Sequence, residues 1–84
     1  MIIKKQFVKR EIAGDCILVP IGQNEFKGII TLNNIAAFIW DNYEKSSDED
    51  DLLKKILDEY EVEKDVAKAD LDEFLQTLKD AEII

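Results

Sequence analysis

The chain has 84 residues, 46% of them apolar and 36% charged, with a formal net charge of −8 and no histidine. That balance fits one small globular domain rather than a disordered segment, and a chain this short buries only roughly 60% of its unfolded surface. The charge repels phosphate backbones at long range, the missing histidine removes the commonest general base and metal ligand, and the single cysteine, Cys16, excludes an intrachain disulfide and suits a reducing cytoplasm.

The N-terminus, MIIKKQFVKRE, places Lys4 and Lys5 after its apolar residues, the reverse of a secretory signal. The longest apolar runs, such as Cys16 to Ile21, are too short to span a bilayer. Phe7 to Ala13 reads as a first strand with Val8, Arg10 and Ile12 on one face. Gly14-Asp15 supplies a tight turn, and Asp15 to Ile21 reads as a second strand, with Pro20 ending it or lying at an unpaired position. Gly22 to Glu25 is a polar loop, and Phe26 to Leu32 a third strand. Connections this short predict an antiparallel meander with strand two in the middle.

Helices are expected from there to the end. Asn33 is a good N-cap, and Ala36, Ile39, Trp40 and Tyr43 recur at helical spacing, giving a first helix over about 34–44. Ser46 with Glu49, or Ser47 with Asp50, has capping-box spacing, and the acids Asp48 to Asp51 suit the first turn of a helix reaching about Tyr60. Leu52, Leu53, Ile56, Leu57 and Tyr60 form its apolar face. Val62 anchors the connection to a third helix over about 65–81, whose apolar set is Val66, Leu71, Phe74, Leu75 and Leu78. Ile83 and Ile84 fold back as an apolar latch. The order βββααα predicts an α+β, winged-helix-like fold, a three-stranded antiparallel sheet followed by three helices that cover one sheet face. Strand three becomes a sheet edge, with Leu32, Ile30 and Gly28 on one face and Thr31, Ile29 and Lys27 on the other.

Little in the chain could carry chemistry. Cys16 lies in an apolar strand with no basic partner nearby and reads as a packed thiol. Asp48 to Asp51 lack the spacing and central glycine of a calcium loop, and Gly14, Gly22 and Gly28 do not form a phosphate-binding loop. No cofactor or metal is implied. Residues 1–32 carry five bases and three acids, about +2, which leaves about −10 on the helical remainder. A surface for binding is what remains, because an edge strand with unpaired N–H and C=O groups accepts an extended peptide as an added strand. At Gly28 the absent side chain would allow a close backbone approach, or simply relieve a bend.

Four pieces taken in order carry a family resemblance: REIAGDCILVPIG, F-x-G-I-I-x-L-N-x-x-A-A-F-I-W, DLLKKILDEYEV and D-L-D-E-F-L-Q-T-L-K-D-A-E-I-I. Together, from Arg10 to Ile84, they resemble the PqqD-like family (pyrroloquinoline quinone synthesis protein D-like), the recognition elements for RiPP precursor peptides. The most specific piece is Leu32 to Trp40. The resemblance implies a non-catalytic peptide-binding chaperone. Such a protein holds the leader segment of a ribosomally synthesised precursor as an extra antiparallel strand along strand three, in a groove shared with helix three. A separate maturation enzyme, often a radical SAM protein, then modifies the peptide. By position the strand-three contacts fall on Lys27, Gly28, Ile29, Ile30 and Thr31, and those of helix three on Ala67, Asp70, Leu71, Phe74 and Leu78. Family members often have glycine before the final apolar pair, where this chain has Glu82. Two other readings compete. One is a winged-helix DNA-binding domain, which the acids Asp65, Asp70, Asp72, Glu73, Asp80 and Glu82 oppose. The other is a small structural module that pairs with itself, as a homodimer through a sheet edge.

Overall fold

In the computed structural model, which describes residues 1–22 and 28–84, three antiparallel strands precede three helices. β1 (Phe7–Ile12), β2 (Asp15–Pro20) and β3 (Ile30–Leu32) form one open sheet in the order β1-β2-β3, as the short connections predict. The first turn falls one residue earlier than expected. β1 stops at Ile12, and Ala13 (φ 53°) and Gly14 (φ 85°) make a two-residue loop in which both residues are left-handed. Such a loop follows the twist of the flanking strands. Pro20 ends β2 opposite Phe7, and the next donor between the two segments is the Ile21 N–H, on the Gln6 carbonyl at 3.1 Å. β3 is shorter than the predicted Phe26 to Leu32. Gly28 and Ile29 precede the ladder, and Phe26 and Lys27, like Gln23 to Glu25 of the expected loop, lie outside the described residues.

Register fixes the two faces. Leu18 stands opposite both Lys9 and Ile30, and Cys16 opposite Glu11 and Leu32. This face meets the helices: Leu18 is fully buried, Leu32 nearly so, and Cys16, Ile30 and Phe7 pack against the same core. The other face carries Val8, Arg10, Ile17 and Thr31; among the described residues none of these joins the helix-packed core, although Ile17 is itself buried.

α1 (Asn34–Tyr43) begins directly at the end of β3 because the Asn33 side chain accepts the Ala36 N–H at 2.8 Å. Its inward positions are Ala36, Ile39 and Tyr43. Trp40 is half-buried and packs edge-on against Phe7, with ring centroids 6.1 Å apart. α2 (Glu49–Glu59) is capped by Asp48, not by either serine. Ser46 is buried and its hydroxyl donates to the Asn42 carbonyl at 2.8 Å, closing α1 instead. Asp48 accepts the Asp51 N–H, while Asp51 accepts the Ser47 N–H at 3.0 Å, so the capping exchange is built from two aspartates. The Ser47 N–H, aided by Lys55, holds the Asp51 carboxyl below its ordinary range.

α3 (Lys64–Asp80) packs against α1 and α2 and buries Ala67, Leu71, Phe74, Leu75 and Leu78. Val66, expected in this apolar set, is 52% exposed. It lies one position off the inward stripe set by Ala67, Leu71 and Leu78. The helix closes with Ile83 N–H on the Leu78 carbonyl and Glu82 N–H on that of Lys79, at 2.8 and 3.0 Å. This 6→1 and 5→2 pair needs a left-handed residue after the cap, which Glu82 supplies at φ 57°. Ile83 is thereby fully buried as the expected latch, and its carbonyl accepts the Lys4 N–H at 2.6 Å.

Candidate functional site

β3 pairs with β2 alone among the described residues, so its other edge offers unpaired backbone groups. Two features bound this edge. Asn33 turns the chain into α1 at one end. At the other, Gly28 has a φ of +105°, which L side chains rarely adopt, while a Cβ there would meet nothing within 4 Å. The glycine is therefore explained by the bend it makes.

Beside the free edge lies a cleft of about 180 Å³. β3 contributes Ile30 and Thr31, the α1 start contributes Asn33 and Ala36, and α3 contributes Asp70, Glu73, Phe74 and Thr77. The α3 residues follow the i, i+3, i+4, i+7 spacing of one helix face. Phe74 and Ile30 give the cleft an apolar floor. Asp70 is half-buried, and Glu73 and Thr77 are exposed. The volume is below that of pockets that enclose a small-molecule cofactor, and the shape suits side chains projecting from an extended backbone. A larger depression of about 500 Å³ lies between the N-terminal segment and α1, lined by Ile3, Phe7, Trp40 and Asp41 among others. The only β1 residue it reaches is Phe7, at the end of the ladder.

The residues singled out in the sequence divide into three groups. Ile30, Thr31, Asp70 and Phe74 come together at the cleft. Gly28 and Ile29 are exposed just before β3, and Lys27 lies outside the described residues. Ala67, Leu71 and Leu78 are 1%, 2% and 0% exposed. Their side chains point into the core and brace the cleft from behind; the apolar stripe of an amphipathic helix goes inward, and a groove takes the flank beside it. Sequence reasoning missed Asn33, Ala36, Glu73 and Thr77 as lining residues. The usable signal was the helical spacing of Glu73 and Thr77 from Asp70.

No group of acids, cysteine and histidine placed to hold a metal occurs among the described residues. Among them, too, no helix is long and apolar enough to cross a membrane.

An open three-stranded α+β sheet whose last strand and last helix share a cleft is the class that this geometry defines. Residues 15–84 match the model of the family described as coenzyme PQQ synthesis protein D (PqqD), and the chain belongs to that family. No curated protein matches. Among solved structures, a chain described as "TbiB1 in Complex with the TbiA(beta) Leader Peptide" is similar, with a TM-score of 0.73 and 23% identity over 99% of this chain and 93% of that one. At that identity the likeness shows the shared fold.

Proposed function

We infer that this chain is a non-catalytic peptide-binding protein. It holds the leader segment of a ribosomally made precursor peptide as an added antiparallel strand on β3 and presents the peptide to a separate maturation enzyme, with radical SAM proteins the first class to test. The observation that carries this reading is the β3 edge, unpaired among the described residues, opening onto a cleft whose opposite wall is α3. Family membership and the fold shared with a chain solved around a leader peptide support it. Strand addition combines several modest main-chain hydrogen bonds with side-chain anchors, and Ile30 and Phe74 provide an apolar floor for such anchors. The acids on the exposed parts of α3, including Asp65, Asp72 and Glu73, oppose a DNA-reading role for that helix.

The test is calorimetric titration of the chain with the leader and core halves of short peptides encoded beside its gene. The leader half should bind and the core half should add little. Ile29→Pro removes a backbone donor beside the cleft while lying outside the β2–β3 ladder, so the sheet should survive. Its affinity should fall by about tenfold or more. Equal affinity in this variant would refute strand addition at β3.

A further inference from the structure

The charges along α3 are sorted by face. Asp72 pairs with Lys68 at 3.2 Å, and Asp80 accepts from Gln76 at 2.8 Å. Lys64 and Lys68 line a separate crease against α2, together with Lys54, Leu53 and Leu57. The two acids that face the cleft, Asp70 and Glu73, have no ion pair and no side-chain hydrogen bond among the described residues. The rest of the cleft lining is neutral: Ile30, Thr31, Asn33, Ala36, Phe74 and Thr77. Among the described residues the docking wall is thus anionic without a counter-charge, and Asp70 is half-buried, where a carboxylate is less well solvated than on an open surface.

We propose that Asp70 and Glu73 select a peptide with a lysine or arginine directed at α3, next in register to an apolar side chain seated on Phe74 and Ile30. This rests on the reading of the cleft as the peptide site. The spacing allows it. Asp70 and Glu73 are about 4.5 Å apart along the helix axis, and same-side residues of an extended strand are about 6.7 Å apart. One guanidinium or ammonium can therefore reach both carboxylates while the next residue on that side lies near Phe74. Charge-assisted bonds at such a wall discriminate strongly, and the net charge of −8 draws a basic segment in from a distance.

A display library of random 14-residue peptides, selected against the full chain, tests this. The selected sequences should be enriched in a basic residue two positions from an apolar one. The best of them should lose roughly tenfold in affinity or more against D70N/E73Q, and nothing against D72N, whose carboxylate faces away. Replacing the peptide's own lysine or arginine by glutamine should give the same loss, a readout that does not depend on how the protein variant folds. Binders that are lost in Ile29→Pro yet show no basic preference, or that bind D70N/E73Q undiminished, overturn the inference and leave the site reading intact. Binders indifferent to Ile29→Pro, or no binders at all, overturn both.

Discussion

The two edges of this small sheet are built to opposite specifications. β1 is six residues long and charged through its centre by Lys9, Arg10 and Glu11. It is also tied down: Lys9 pairs with Asp41 on α1, and the chain just before it is held by Lys4 N–H on the Ile83 carbonyl and Lys5 Nζ on that of Ala81. β3 is three residues long, uncharged, and followed at once by a helix. Charges on an edge discourage strand pairing, because an added strand would have to accommodate them. The contrast leaves the uncharged edge as the one beside the α3 cleft, where strand addition is proposed, and the shortness of β3 would confine such pairing to a few residues between Gly28 and Asn33.

The widest test of that contrast strikes what the edges share. Leu18 is fully buried and stands opposite Lys9 on one side and Ile30 on the other. Leu18→Ala should cost about 2–5 kcal/mol in urea unfolding, and peptide affinity should fall with it as β3 loosens. A variant destabilised that much but binding normally would show that β3 is positioned independently of the central strand.

Removing residues 1–5 separates the edges. It deletes the hydrogen bonds to Ile83, Ala81 and Ser46 and the partial burial of Met1 and Ile3 against the core. Stability should drop by about 2 kcal/mol in the same assay. Affinity for a β3-bound peptide should stay within about twofold, because none of these groups lines the α3 cleft. Loss of binding in this variant would move the site toward β1.

Glu82→Gly works in the opposite direction, by tightening the β1 side. Glu82 adopts φ 57° to let Ile83 turn inward and receive Lys4. Glycine takes this conformation without the Cβ conflict, so unfolding should become about 1 kcal/mol harder with no change in binding.

Much of this was legible in the sequence, and the parts that were not have identifiable causes. The strand order, the Asn33 cap and the inward sets of α1 and α2 follow from alternation, cap chemistry and helical period, which act within a few residues. The Asp48 cap was missed because the two serines before it have capping-box spacing, which set Asp48 in the first turn; Ser46 is instead buried with its hydroxyl on the Asn42 carbonyl, and the Ser47 N–H donates to Asp51. The cleft wall was harder. Leu71 and Phe74 both read as apolar residues of α3, but their azimuths differ, and the position of β3 against the helix decides that Phe74 lines the cleft while Leu71 does not. Glu73 and Thr77 look like ordinary solvent residues until a second element lies beside them.

The finest test concerns the single ion pair that binds β1 to α1. The hydrogen bond to Asp41 raises the Lys9 pKa above its ordinary 10.5, partly opposed by burial. A cation whose folded pKa is raised contributes stability that is complete below the unfolded value and is lost as pH climbs through the folded one. The chain should therefore lose a small increment of stability above about pH 10.5 that Asp41→Asn has already lost at neutral pH. Both ends are partly exposed, so the increment should be only about 0.2–1 kcal/mol, and smaller still at high salt. Chemical-denaturation midpoints for the two proteins at pH 8 and pH 11 measure it. Curves that keep the same separation at both pH values would mean that the pair does not fasten the β1 edge, leaving its charges and the N-terminal tether to hold it.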